Sequence, residues 1–180
     1  MSGNTVETFH LSGKKILVIL PPRQFRDEEY QKPKALFDDS GARVTVASSA
    51  LAPAQGMLGT VVTPDASIKD VKATDFDAVL LVGGIGSNAF WHHEIVHNLV
   101  KESVRAGKVV GAICLAPVTL ANAGLLEGKP ATAYPSAESY LKWKGATYTG
   151  SSVEIAGNIV TAKGPESAEE FARAVARLLV

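Results

Sequence analysis

Short apolar runs alternate along the chain with segments in which apolar residues recur every three or four positions. The short runs are typical of strands buried on both faces of a sheet, and the other segments are typical of amphipathic helices. The predicted strands are residues 15–20, 43–48, 77–82 and 109–113. The predicted helices are residues 27–40, 91–105, 116–123 and 167–179.

Individual residues refine these elements. Pro33 lies inside the first predicted helix and predicts either a late start or a kink, because proline donates no backbone hydrogen bond. In the last helix, Phe171, Val175 and Leu178 are expected to form the buried stripe. Glycine and proline in residues 51–64 predict short strands or a hairpin, and further short strands are expected at residues 131–134, 147–148 and 159–161.

The order of elements predicts the fold class. Strands alternating with helices indicate right-handed βαβ units, and therefore a flavodoxin-like three-layer α/β sandwich with a mostly parallel central sheet. We expect one domain over residues 1–180, with residues 1–12 as a polar lead-in. Catalytic groups collect at the carboxyl ends of such strands. The loop after Leu20, the Gly83-Gly84 turn and Cys114 each follow a predicted strand, so we expect them to meet.

Charge and composition narrow the function classes. Eighteen basic and eighteen acidic residues are interspersed without a run of like charge, which argues against a nucleic-acid groove or a polybasic membrane patch. No signal peptide is recognisable, and no apolar stretch reaches the roughly 18 residues of a membrane span. A lone cysteine fits a reducing compartment, so we predict a cytoplasmic protein, and we expect no cofactor.

The segment from Gly111 to Pro117 predicts a nucleophile elbow, a sharp strand-to-helix turn that presents one reactive side chain. Residues two before and two after the nucleophile must be small because they nearly touch, and Ala112 and Ala116 meet that demand. Cys114 would then lie at a helix N-terminus, where free N–H groups and the dipole stabilise a thiolate. An inert buried cysteine is the alternative.

A glycine turn follows the strand that ends at Val82. The backbone N–H groups of Gly84 and Ile85, together with that of Leu115, are candidates for an oxyanion or sulfinate pocket around the sulfur. The turn lacks the full glycine spacing and the lysine of nucleotide-binding loops. An ordinary strand-to-loop turn without a binding role is the alternative.

Four segments together resemble the ThiJ/PfpI (DJ-one) superfamily. They are the loop 24–33, the Gly83-Gly84 turn, Ala112-Ile113-Cys114 with Pro117, and Gly164-Pro165. The resemblance covers residues 14–180 and implies that Glu29, four residues before Pro33, hydrogen-bonds Cys114. A carboxyl group beside a thiolate would have a raised pKa and would donate its proton to the sulfur.

The histidine bases of that family are missing. Peptidase-type members carry histidine directly after the cysteine, where this chain has Leu115, and another branch carries it further on, where this chain has Tyr134. Acyl transfer by cysteine needs a positioned base, so proteolysis is disfavoured. His92 is a possible site residue. His93 and His97 lie one turn apart and are expected to be a surface pair without a metal.

The resemblance implies a stress-related protein whose Cys114, assisted by Glu29, senses oxidants or acts on small reactive carbonyls in glyoxalase- or deglycase-like chemistry. An activated thiol is expected to be alkylated rapidly at about pH 6. A non-catalytic chaperone-like or partner-binding homodimer is the rival hypothesis, and a cysteine peptidase or amidase is the third. Near-zero net charge gives weak self-repulsion, and the resemblance implies subunits that bury surface beside the active-site loops. Both predict a homodimer or higher homo-oligomer, and no nucleic-acid or membrane partner is expected.

Overall fold

The computed structural model describes residues 6–180, so residues 1–5 of the predicted lead-in lie outside the described part. The strands are β1 (Lys15–Ile19), β2 (Arg23–Phe25), β3 (Arg43–Ser48), β4 (Ala54–Gly56), β5 (Val61–Val62), β6 (Ala66–Ser67), β7 (Ala78–Leu81), β8 (Val109–Ile113), β9 (Pro130–Ala131), β10 (Thr147–Tyr148), β11 (Val153–Ala156) and β12 (Ile159–Ala162). The helices are α1 (Asp27–Asp39), α2 (Glu94–Arg105), α3 (Pro117–Asn122), α4 (Glu138–Trp143) and α5 (Ala168–Leu179).

The central sheet has seven strands in the order β11-β12-β8-β7-β1-β3-β6. Neighbours are parallel except β11, which pairs antiparallel with β12 at one edge. Parallel pairing aligns the carboxyl ends of the central strands, with Leu81 of β7 opposite both Ile19 of β1 and Ala112 of β8. The predicted three-layer α/β sandwich with a mostly parallel sheet is therefore confirmed.

Side chains of β1 alternate between two apolar layers. Ile16 and Val18 pack in the layer that contains Phe37 of α1 and Phe171 of α5. The next residues along the strand point the other way, into the layer that contains buried residues of α2, α3 and α4. Successive side chains of β1 therefore contact helices on opposite faces of the sheet. Within residues 6–180, no helix combines the length and apolar character needed to cross a bilayer.

The segment 51–64 contains a hairpin, as predicted. Strands β4 and β5 pair antiparallel, and β2 joins β4 to complete a second, three-stranded sheet. The buried carboxylate of Asp27 accepts the backbone N–H groups of Leu58 (2.9 Å) and Thr60 (2.9 Å) from the hairpin turn. Because Asp27 is the first residue of α1, these bonds tie the hairpin to the helix that carries Glu29.

Three predicted details differ from the structure. Helix α2 begins at Glu94, because residues 85–90 form a separate 3₁₀ helix and His93 is extended. Helix α1 begins at Asp27 and continues through Pro33, so the late-start alternative is wrong. In α5, Leu178 is 36% exposed whereas Leu179 is buried, since the helix lies against the sheet and α1 on a slightly rotated face.

Candidate functional site

Cys114 directly follows β8 in a left-handed backbone conformation, with a φ of 65°. Its N–H donates to the carbonyl of Ala162 (2.9 Å), and its carbonyl accepts the N–H of Tyr134 (2.8 Å). The two hydrogen bonds to neighbouring segments hold the residue in a conformation that non-glycine residues rarely adopt. The flanking residues Ala112 and Ala116 are buried, and their small side chains leave room for this sharp turn.

Gly83 at the end of β7 allows Glu29 and Cys114 to approach each other. A Cβ atom on Gly83 would lie 2.5 Å from Oε1 of Glu29 and 2.7 Å from Cβ of Cys114. Both side chains therefore lie against the same bare backbone, and any larger residue would overlap them. The Gly83 carbonyl also accepts the N–H of Arg26 (3.0 Å), which holds the start of α1 against β7.

Glu29 is buried, with 1% of its surface exposed. Its carboxyl group faces the Cys114 thiol, yet neither oxygen has a partner with ordinary hydrogen-bond geometry. Burial raises the pKa of Glu29 to about 8, and contacts with Cys114 and the charge of Arg26 offset only part of that effect. At neutral pH the side chain is therefore a carboxylic acid that can donate a proton.

The same burial acts on the sulfur. Burial first, and the charge of an ionised Glu29 second, raise the pKa of Cys114 to about 12, while the N–H groups of Gly84 and Leu115 lower it. The direction is opposite to the predicted activation of the thiol. The expected helix dipole contributes little, because α3 has only six residues and begins three positions after Cys114.

The two groups titrate as a pair that shares protons. When Glu29 is protonated it has no charge to repel a thiolate at Cys114, and the N–H groups of Gly84 and Leu115 then favour that thiolate. The Glu29 carboxyl group has one backbone N–H nearby, that of Gly83, which lowers its pKa slightly but does not reach ordinary hydrogen-bond geometry. With pKa values of about 8 for Glu29 and about 12 for Cys114, the pair loses its first proton near pH 8, and the N–H groups of Gly84 and Leu115 stabilise the charge when it lies on the sulfur.

The glycine turn supplies one of the N–H groups at the sulfur. Gly84 has a φ of 102°, and its backbone packs against the backbone of Gln24 and Arg26 so closely that a Cβ atom would overlap them. Ile85 was a second candidate donor in this turn. Its side chain is 53% exposed, and the N–H groups that act on the thiol are those of Gly84 and Leu115.

Tyr134 occupies the place of a family histidine. Its N–H bonds the Cys114 carbonyl, while its side chain is 46% exposed. Tyr134 also lines a cavity of about 460 Å³. The other residues around this cavity are Pro135, Ser152, Lys163, Glu166 and Ser167. Tyr134 therefore contacts the elbow through its backbone N–H, and the same residue lines the cavity.

Three of the histidines lie before and within α2. His92 is exposed, and its Nδ1 lies 3.5 Å from Nδ2 of Asn122. His93 packs edge-on against Phe90, and His97 Nε2 contacts the carbonyl of Trp91 at 2.8 Å. Residues 6–180 contain no group of histidine, cysteine and carboxylate side chains arranged to bind a metal.

Sequence patterns did not single out two residues beside the elbow. The indole Nε1–H of Trp91 donates to the carbonyl of Leu115 (3.1 Å), and Asn122 donates to the carbonyl of Trp91 (2.8 Å). Each contact joins segments more than twenty residues apart in the chain, so local periodicity carries no signal for it.

The chain is thus an α/β protein whose site consists of a buried cysteine at a strand-to-helix turn and a protonated glutamate that faces it. The model of the DJ-1/PfpI family matches residues 14–178 of this chain, which covers most of its length. The chain belongs to the DJ-1/PfpI family.

Individual relatives agree with this assignment. An uncharacterized protein of Methanocaldococcus jannaschii is 43% identical over 90% of this chain and 80% of its own length. The glutathione-independent glyoxalase DJR-1.2 of Caenorhabditis elegans is 29% identical over 92% of this chain and 89% of its own. The crystal structure of a ThiJ/PfpI domain protein from Brachyspira murdochii superposes with a TM-score of 0.89 at 37% identity, covering 93% of this chain and 98% of that one.

Proposed function

We propose that this chain is a stress-related DJ-1/PfpI protein in which Cys114 reacts with small oxidants or reactive carbonyls and Glu29 supplies the proton. One observation carries the proposal: a buried carboxyl group without another side-chain partner faces the only thiol of the chain. Burying an unpartnered carboxyl group is costly, and a chemical role for its proton explains the arrangement.

Oxidation by peroxide is the simpler reaction. The thiolate sulfur attacks one peroxide oxygen, the O–O bond breaks, and the departing hydroxide takes a proton to become water, leaving a sulfenic acid. A second peroxide oxidises the sulfenic acid to a sulfinic acid and is reduced to water. With a single cysteine, the chain has no internal thiol to trap the sulfenic acid as a disulfide. The N–H groups of Gly84 and Leu115 would bind the sulfinate, with Glu29 donating to one of its oxygens.

Reactive carbonyls are the second substrate class, and the worm glyoxalase supports it. The sulfur adds to the aldehyde carbon of a 2-oxoaldehyde, and Glu29 protonates the oxygen to give a hemithioacetal. The resulting Glu29 carboxylate removes the proton from the former aldehyde carbon and returns it to the neighbouring carbon, while the hydroxyl proton passes from the first oxygen to the second, which gives a 2-hydroxy thioester. Water then hydrolyses the thioester, so that the aldehyde and one water become a 2-hydroxy acid and the thiol is restored.

One observation favours a non-catalytic rival. Cys114 is only 7% exposed and burial raises its pKa, as expected for an inert thiol in a chaperone-like or partner-binding homodimer. Peptide hydrolysis is the weakest possibility, because Leu115 stands where peptidase-type members have a histidine base and Tyr134 stands where another branch of the family has one.

Conversion of methylglyoxal to lactate separates these possibilities. We expect slow turnover by the native chain, none by Cys114→Ser, and a large loss in Glu29→Gln, which cannot act as a base. Glu28→Gln is the matched control, because Glu28 pairs with Arg26 at the surface (2.6 Å). Equal lactate formation by the native chain and Cys114→Ser would exclude the carbonyl reaction.

Alkylation of Cys114 by iodoacetamide tests thiol reactivity independently of any substrate. The pair loses its first proton near pH 8, and the proposed chemistry requires the resulting charge to lie on the sulfur, so the rate should rise with a midpoint near that pH. This replaces the expectation of fast alkylation at about pH 6. A rate that stays at background through pH 9 would favour the inert-cysteine alternative.

A further inference from the structure

Trp91 connects the two backbone segments that supply N–H groups to the sulfur. It directly follows the 3₁₀ helix Ile85–Phe90, which begins next to Gly84. Its indole Nε1–H donates to the carbonyl of Leu115 (3.1 Å), the residue whose N–H acts on Cys114. The Leu115 carbonyl also accepts the N–H of Val118, at a longer 3.3 Å. The indole is therefore the closer of the two donors.

The position of Trp91 is itself fixed by hydrogen bonds from two helices. Its carbonyl accepts Nδ2 of Asn122 in α3 (2.8 Å) and contacts Nε2 of His97 in α2 (2.8 Å). The Oδ1 of Asn122 accepts the hydroxyl of Tyr140 in α4 (2.5 Å). Three helices on one face of the sheet thus hold one tryptophan, and that tryptophan bonds the carbonyl of the residue that follows the nucleophile.

We propose that Trp91 is a positioning residue for Cys114: its indole N–H fixes the Leu115 carbonyl and thereby the backbone conformation of Leu115, whose own N–H points at the sulfur, with Asn122 and His97 holding Trp91 in place. The inference deepens the proposed function, on which its role in reactivity rests. Packing alone does not require a tryptophan at this position, because phenylalanine would also supply an aromatic ring. Only the indole has an N–H that can bond the Leu115 carbonyl.

The first test is the pH profile of Cys114 alkylation in Trp91→Phe, which keeps an aromatic ring and loses the donor. We expect the rate at pH 8 to fall about three- to tenfold and the midpoint to move to higher pH, because a hydrogen bond to a charged sulfur is weakened. Asn122→Asp should give a smaller effect in the same direction. Trp143→Phe, at a residue 74% exposed, is the control and should leave the profile unchanged. A folded Trp91→Phe protein with the native profile would overturn the proposal.

A second test uses rescue at His97. His97→Gln keeps an N–H donor near the position of Nε2, whereas His97→Leu removes it. We expect the glutamine variant to retain the native midpoint and the leucine variant to shift it. Equal profiles in both variants, whether shifted or native, would exclude a role for this hydrogen bond in holding Trp91.

A spectroscopic test decides the proposal even if Trp91→Phe does not fold or Cys114 is unreactive. In Trp143→Phe, Trp91 is the only remaining tryptophan. Its emission should change between pH 7 and 9 as the pair ionises, and the change should disappear when Cys114→Ser is added. A flat emission curve would overturn the proposal. Absence of alkylation together with a titrating emission would reject only the proposed function.

Discussion

Glu29→Gln should change the way in which stability depends on pH. The substitution keeps the size of the side chain and removes a buried acid whose pKa rises from 4.5 to about 8 on folding. Between these values the folded chain binds a proton that the unfolded chain has released. Stability supplied by the protonated acid is therefore fully present below about pH 4.5 and declines as the pH rises towards 8.

The magnitude follows from the two pKa values. One pKa unit is worth about 1.4 kcal/mol, and the titration of Glu29 is nearly complete in the unfolded chain by pH 6. The native chain should lose about 2.5 kcal/mol more than Glu29→Gln between pH 5 and pH 7. Cys114 is coupled to Glu29, but its thiol stays protonated over this range, so the difference between the two curves isolates the Glu29 carboxyl group.

Urea unfolding at several pH values measures the effect directly. Glu28→Gln is the matched control, because Arg26 lowers the pKa of Glu28 and its removal should leave the curve almost parallel to the native one over this range. Parallel curves for the native chain and Glu29→Gln would refute the raised pKa and the protonated acid on which the proposed chemistry depends.

Three further predictions concern the surroundings of the site. Gly83→Ala should lower the free energy of unfolding by about 1–3 kcal/mol and suppress alkylation of the thiol, because the new methyl group overlaps Glu29; denaturant unfolding and alkylation rates measure both effects. Asp27→Asn should cost about 1.5–3 kcal/mol at neutral pH, because the lowered pKa of Asp27 reflects a carboxylate that accepts N–H groups of Leu58 and Thr60. The native advantage over that variant should be lost as the pH falls through the lowered pKa, whereas a constant difference would contradict it. We also propose a homodimer, and a sedimentation mass near the 18.9 kDa of one chain would exclude it.

The sequence predicted the central sheet well because its strands are continuous apolar runs between glycines and prolines. Strand β11 escaped detection, since it lies at a sheet edge and all of its residues are partly exposed. Strand β6 has two residues and forms by pairing with β3. Such short edge strands depend on a partner, so their own composition carries little signal.

The sequence also indicated which residues meet at the elbow, but it did not predict their electrostatics. Cys114 and Glu29 could be paired through the family resemblance. Their burial depends on how α1, β7 and β8 pack together, and burial is the largest cause of both raised pKa values. The Trp91–Leu115 contact was equally out of reach, because it requires the three-dimensional positions of two loops.

Intact mass measured over a series of peroxide concentrations tests the central claim most directly. We expect the mass to rise by about 32 Da, which is two oxygen atoms, with the gain confined to Cys114. The reaction should be faster at pH 8 than at pH 6. Glu29→Gln can still donate a hydrogen bond and should keep the sulfinate as the end product, whereas Glu29→Leu should allow the third oxygen to be added. A cysteine that remains reduced, or the same products from the native chain and Glu29→Leu, would contradict a reactive pair formed by Cys114 and Glu29.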